Sequence, residues 1–186
     1  AINLGYLKIQ SHQAENIIAG GIEMMSRVPM LSDEAAIWND VALASQARIF
    51  LMGSGADLIA SLYDISRKEA DLQALESQKR ALYAQKNNHF KSIVPVIDEL
   101  QSIQCILDEC IRPETTIESL SSLDPSFQKL GVEGVDQAQL NYFHNLEAIA
   151  HVHTAGNSPA MADAASMTLL SNKEIQENGK KARAKI

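Results

Sequence analysis

"AENIIAGGIEMMSRVPM", residues 14–30, is the stretch on which the fold class turns. Its apolar run Ile17-Ile18-Ala19 ends in Gly20-Gly21 and continues as Glu23-Met24-Met25-Ser26. A short apolar run with a turn before it and glycines after it reads as a buried strand of a mostly parallel sheet. Two residues without side chains let neighbouring backbone approach closely at the strand's end, and the methionines beyond can fill irregular space. Just upstream, Ile2, Tyr6 and Ile9 share one helical face, with Leu4 and Leu7 beside them, before Ser11-His12-Gln13 breaks the pattern. Helix then strand places the chain in the α/β class. The glycine pair then lies at a strand's C-terminal end, where open α/β sheets place their ligands.

From Val28 to about Ser54 the composition turns polar, with Pro29 and the lone Trp38, and reads as a long excursion from the sheet. Met52-Gly53-Ser54-Gly55 then leads into a helix through Leu58, Ile59, Leu62 and Tyr63. Ser66-Arg67-Lys68-Glu69 is a capping box; its helix should run to about Lys86 and bury Leu72, Leu75 and Leu82. Ile93-Val94-Pro95-Val96-Ile97 and Ile103 to Cys110 read as two strands, the proline marking the first as an edge. Thr115-Thr116-Ile117-Glu118 opens a short helix through Leu120 and Leu123, and residues 131–150 read as loop with marginal helix. The α/β character returns with a strand at Val152 to Ala155, a turn at Gly156-Asn157-Ser158-Pro159, a small-residue helix from Ala160 to Ser166 and a strand at Met167-Thr168-Leu169-Leu170. Ser171-Asn172-Lys173-Glu174 caps a further helix ending at Gly179, and Ala182 to Ile186 reads as the start of another strand.

The 186 residues, 46% hydrophobic and 21% charged, are ordinary for a globular protein. A net charge of -7 and a pI near 5.2 give no global attraction to nucleic acid or anionic lipid. Apolar runs fall well short of the ~20 residues that span a bilayer, and the first residues lack a basic start followed by an apolar core. Neither nucleic acid nor membrane is therefore an expected partner. The first residue is Ala1, inside what already reads as a helix, which suggests a processed product or a fragment. Cys105 and Cys110 match no common zinc spacing and are too few to staple a secreted fold, so a reduced, cytoplasmic compartment fits. They read first as strand residues, with a redox pair or metal site as the alternative.

Several stretches carry candidate chemistry, each beside a plainer reading. The amides of Met52-Gly53-Ser54-Gly55 could cradle a phosphate at the start of the following helix, or the stretch is only a turn before a helix; neither a dinucleotide nor a Walker motif is present. His151-Val152-His153, alternating along a strand, puts both imidazoles on one face, either as a polar face or for metal. Asp163 is a base or a helix cap. Arg112 ahead of a capped helix can stack on an aromatic base or is a solvated loop residue. Lys180, Lys181, Arg183 and Lys185 read as solvated surface. No residue set here makes a complete nucleophile, base and oxyanion hole, and no metal is expected.

Four separated motifs, taken in order, resemble the thiolases, a family of acyl-CoA acyltransferases: Ala19-Gly20-Gly21-Ile22-Glu23-Met24-Met25-Ser26, Ile65-Ser66-Arg67-Lys68-Glu69, Arg112-Pro113-Glu114-Thr115-Thr116 and His153-Thr154-Ala155-Gly156-Asn157. The resemblance covers essentially the whole chain but only about the middle half of a thiolase. It implies a thiolase fold of two similar α/β halves, of which this chain would carry part of the first core half (residues 1–28), the inserted loop or lid domain (29–150) and the return to the core (151–186). By the same resemblance Met52 lines the pantetheine channel, Arg112 lies against the adenine, Ser119 touches the coenzyme A arm, and Ala155 meets the thioester end. Leu51 stands where biosynthetic members often carry a histidine. Ser158-Pro159-Ala160 replaces a run of small residues, which bears on acyl-chain specificity.

The resemblance further implies transfer of an acyl group to coenzyme A, or the reverse Claisen condensation, through a covalent thioester. Coenzyme A and acyl-CoA are then substrates, with no bound cofactor, and the protein is a homo-oligomer, dimer or tetramer. The family's nucleophilic cysteine aligns before Ala1, and its activating histidine and second cysteine belong to the C-terminal half, so these 186 residues alone should be inactive. The alternative is a non-catalytic coenzyme A-binding or scaffold module acting with a partner chain. A ligand-free helical interaction module is disfavoured by the order of the motifs.

Overall fold

A computed structural model describes residues 1–98, 100, 103–172 and 182–186. The described chain forms two units, one of residues 1–32 with 161–186 and one of residues 33–160.

In the first unit, α1 (Ile2–Gln10) packs on a two-stranded ribbon of β1 (Asn16–Glu23) and a late strand at Ala164–Ser171. The apolar face read from the spacing is used only in part: Gly5 and Ile9 are its buried members, while Ile2, Leu4, Tyr6 and Leu7 are exposed. Ile9, Ala19 and Leu170 form the core with Ile17 packed against it. Gly5 lets the helix sit close, because a Cβ there would lie 2.8 Å from Leu170 Cδ1.

Several expectations are corrected here. The strand does not stop at Gly20 but continues to Glu23, and its partner runs antiparallel, with Asn16 opposite Ser171 and Glu23 opposite Ala164. It is not the buried strand of a parallel sheet: Ile18 and Ile22 lie exposed on the face away from α1. Gly20 does serve close approach, since a Cβ there would meet the Ser166 carbonyl oxygen at 2.4 Å, whereas Gly21 has open space around it. The expected helix from Ala160 to Ser166 is absent because Ala164, Ala165 and Ser166 pair with β1. Asp163 is accordingly no helix cap; its carboxylate accepts from Ser26 N at 2.9 Å and Ser26 Oγ at 2.6 Å, closing the end of the ribbon. These bonds, the hydroxyl's first, hold Asp163 below the usual carboxylate range. Residues 182–186 form no strand. The helix expected from Lys173 to Gly179 lies outside the described residues.

The second unit is mainly helical: α2 (Ala36–Asn39), α3 (Val41–Ala47), α4 (Met52–Leu62), α5 (Arg67–Lys86), a small hairpin of β2 (Val96–Asp98) and β3 (Ile103–Cys105), α6 (Ile117–Ser121), α7 (Gln128–Leu130), a π-helical turn (Gly131–Val135) and α8 (Asp136–Leu140). The strand at Ala164–Ser171 is β4. Helix α5 starts at the capping box, with Glu69 N donating to Ser66 Oγ at 3.2 Å and Ser66 N to Glu69 Oε2 at 2.8 Å. Bonds from the Ser66 backbone and hydroxyl lower the proton affinity of Glu69. The expected burial is corrected, since α5's one buried residue is Asp71, with Leu75 and Leu82 half-buried and Leu72 exposed. Among the described residues of 93–110, Val96–Asp98 pairs with Ile103–Cys105, leaving Pro95 and Cys110 outside the strands. The second capping box is centred on Thr116 and Ser119.

Residues 131–140, within the stretch read as loop with marginal helix, are helical, with Gly134 at φ 120° where a side chain would be strained. Met52-Gly53-Ser54-Gly55 forms the first turn of α4 itself, with Gly55 N bonded to Leu51 O, rather than a turn ahead of the helix. Val152 to Ala155 is not a strand. The apolar interior of this unit includes Ala44, Ala60, Leu120, Val135, Ala138, Ile149 and Val152, but its most deeply buried side chains are Thr154, Asp57 and Asp71.

Candidate functional site

Two buried carboxylates organise residues 151–157. Asp57 faces inward from α4, and each of its oxygens is used. Oδ1 accepts from Val152 N at 3.0 Å and His153 N at 3.1 Å and lies 2.6 Å from His153 Nδ1; Oδ2 lies 3.0 Å from His151 Nδ1. The far nitrogen of His151 reaches Asp136 of α8 at 3.0 Å. Burial works against charge on His151, but the hydrogen bonds and negative charge of Asp57 and Asp136 outweigh it and raise its proton affinity above the ordinary 6.5.

Asp71 does the same from α5. Its Oδ1 accepts from Asn157 Nδ2 at 2.9 Å and its Oδ2 from Arg67 Nε at 2.9 Å. Asn157 also donates to Val152 O at 2.9 Å and accepts from Thr154 N at 2.8 Å, and Gly156 N donates to Thr154 Oγ1 at 3.2 Å. Residues 152–157 are thus folded by side chains on two helices and by their own Asn and Thr, where a sheet neighbour would otherwise supply the partners.

This turn forms one wall of an open cleft of about 600 Å³. The opposite walls are the small-residue face of α5, with Ala70, Ala74 and Ser77, and the loop Asp108 to Arg112. The cleft brings together two of the four residues singled out for ligand contact, Arg112 and Ala155. Arg112 is held twice: its amide donates to Gln78 Oε1 at 2.7 Å, and its Nη2 reaches Gly156 O at 3.3 Å. The other two do not line it. Met52 stands 88% exposed at the start of α4, and the Ser119 hydroxyl is occupied in the cap of α6, donating to Thr116 O at 2.9 Å and accepting from Thr116 N at 3.1 Å. Cys110 lines the cleft; both cysteines are free. Among the described residues, no group of three or more His, Cys, Asp or Glu converges on a metal position. No described helix is long and apolar enough to cross a membrane.

Residues 1–141 match the family described as thiolase, N-terminal domain. The chain belongs to the thiolase family. It is 31% identical over 206 residues to a β-ketoadipyl-CoA thiolase of Pseudomonas knackmussii, covering 100% of this chain and 46% of that protein. It is 32% identical over 187 residues to a 3-ketoacyl-CoA thiolase of Escherichia coli, covering 96% and 42%. Among solved structures, human mitochondrial 3-ketoacyl-CoA thiolase in complex with CoA superimposes with a TM-score of 0.64 at 25% identity, covering 96% of this chain and 43% of that one. The dimeric peroxisomal thiolase of Saccharomyces cerevisiae gives 0.64 at 27%, covering 96% and 42%. This thiolase chain spans less than half the length of these relatives.

In this thiolase chain the turn at residues 156–159 is legible in the sequence, whereas the side chains that hold it go unread. Asp71 is legible in principle as the partner of Arg67 four residues earlier on one helix face. Asp57 is legible only as an acid set among the apolar residues of α4. Nothing in the spacing joins Asp57 to residues more than ninety positions later.

Proposed function

We propose that this chain supplies the coenzyme A-binding part of a thiolase-type acyl-CoA acyltransferase, which transfers an acyl group to coenzyme A or runs the Claisen condensation in reverse. The observation that carries the reading is the meeting of Arg112 and Ala155 on one cleft, with the guanidinium tied to the Gly156 carbonyl. In this reading Arg112 lies against the adenine, Ala155 meets the thioester end, the exposed Met52 lines the pantetheine channel, and Ser119 lies along the arm of the ligand. A planar cation on a fixed backbone turn suits an aromatic base. Residues 29–150 act as the inserted lid and residues 1–28 and 151–186 as core; the division of the described chain near residues 32 and 160 supports a core–insertion–core order, with residues 151–160 grouped with the insertion. The working protein is a dimer or tetramer in a reduced, cytoplasmic-type compartment.

Catalysis in this reading needs a cysteine nucleophile and its histidine base at positions that Cys105, Cys110, His151 and His153 do not occupy. Loss of such a coupled unit costs on the order of 10⁶ in rate, so the 186 residues alone should leave acetoacetyl-CoA uncleaved. The test is calorimetric titration of coenzyme A into the full-length protein. Arg112→Ala should weaken binding roughly tenfold, the loss of about 1.4 kcal/mol expected of a cation–aromatic contact. Unchanged affinity would remove Arg112 from the site.

A further inference from the structure

Asp71 is 1% exposed and stands behind the cleft wall, so it touches no ligand there. Yet its two oxygens reach two of the segments that carry proposed ligand-contact residues, the turn with Ala155 and the helix with Ser119. Through Oδ1 it holds the side chain of Asn157, and that side chain in turn bonds Thr154 N and Val152 O, so the turn carrying Ala155 and Gly156 hangs on it. Through Oδ2 it holds Arg67, whose Nη1 donates to Leu123 O at 3.1 Å and whose Nη2 donates to Leu120 O. Those carbonyls lie at the C-terminal end of α6, the helix that carries Ser119, where a guanidinium is favourably placed.

We propose that Asp71 is a positioning residue which, through Asn157 and Arg67, sets the 154–157 turn and the end of α6 in the mutual placement that a coenzyme A ligand requires. The inference rests on the reading of the cleft as a coenzyme A site. Both of its arms need an acceptor, and only a carboxylate offers one at each end. An asparagine at position 71 has one oxygen and one NH2 group. Its oxygen will face the charged Arg67, the stronger donor, leaving the NH2 against the Asn157 amide, donor against donor.

The test combines segment-resolved hydrogen exchange of the ligand-free full-length protein with calorimetric titration of coenzyme A. Asp71→Asn and Asn157→Ala should give one shared fingerprint: faster exchange at residues 152–157, unchanged exchange at 120–123, and coenzyme A affinity down by about tenfold. Arg67→Ala should give the complementary fingerprint, with exchange faster at 120–123. A residue that merely supports the fold would instead speed exchange in both segments together in every variant, and that result overturns the proposal. So does unchanged exchange at 152–157 in Asp71→Asn, or unchanged affinity despite a loosened turn. Should Asp71→Asn fail to fold, the contrast between Asn157→Ala and Arg67→Ala decides the matter. If the unaltered protein binds no coenzyme A, the functional reading of the cleft falls, and with it the ligand half of the proposal, while the exchange fingerprints still judge whether Asp71 holds the two segments.

Discussion

Replacing Asp57 by alanine and by asparagine should give very different losses of stability. The Asp57 side chain is fully buried and takes four N–H groups: the Val152 and His153 amides and the two imidazoles. Alanine removes every acceptor. An orphaned buried donor costs about 1–3 kcal/mol, so the two amides alone imply about 2–6 kcal/mol. Breaking a buried charged network independently suggests about 3–5 kcal/mol. That is a large share of the ~5–15 kcal/mol of a typical domain. Asparagine can keep Oδ1 for both amides and His153. Its Nδ2 then faces His151 Nδ1, an arrangement that closes without conflict when His151 is neutral, accepting at Nδ1 from the introduced amide and donating to Asp136 from Nε2. Asp57→Asn should therefore cost only about 1 kcal/mol, one ordinary hydrogen bond.

The two forms should also differ in pH dependence. Asp57, Asp136 and, across the shared carboxylate, His153 are the titratable groups facing His151. With the folded-state affinity raised, the His151 contribution is complete below the unfolded value of 6.5 and is lost as pH climbs through the higher folded value. Asp57→Asn holds His151 neutral and should flatten that slope. Urea unfolding at a series of pH values from about 6 to about 9, with the m-value checked for constancy, measures both effects. A loss below about 1 kcal/mol for Asp57→Ala, or an undiminished slope for Asp57→Asn, would refute the reasoning.

Gly20→Ala brings a Cβ within 2.4 Å of the Ser166 carbonyl oxygen, a backbone atom that cannot swing aside. It should destabilise the β1–β4 ribbon by about 1–3 kcal/mol, read as accelerated amide exchange in residues 16–23, whereas Gly21→Ala, with open space, should be far milder. Ser66→Ala removes the hydroxyl that accepts the Glu69 amide and should cost about 1 kcal/mol in thermal or urea unfolding; no loss would mean the cap is not formed in solution.

How much can be read in advance depends on whether the ordering partner is local. Helix α5 is legible at both ends because its start is fixed by Ser66 and Glu69, three residues apart, and α1 follows from apolar spacing. The same logic fails for β4. Ala164-Ala165-Ser166 has small side chains and no periodicity of its own, so it reads as helix; it is a strand because β1 lies opposite. The glycines of β1 mislead in the complementary way. They read as the end of a strand, since glycine weakens strands in isolation, yet the strand runs through them because Gly20 admits the Ser166 carbonyl.

Residues 151–153 carry this one step further. Alternation in His151-Val152-His153 suggests two imidazoles on one face of a strand, and both do converge on Asp57, but no strand carries them. The backbone amides of Val152 and His153 are satisfied by the same carboxylate oxygen that His153 uses. One buried side chain has taken the place of a neighbouring strand, satisfying backbone and imidazoles at once. A strand partner offers its acceptors along a backbone ladder, whereas Asp57 concentrates them at one point and binds them to the charge of His151. For that reason this segment, unlike the β1–β4 ribbon, should respond to pH between about 6 and about 9, and the response should flatten in Asp57→Asn while the backbone bonds persist.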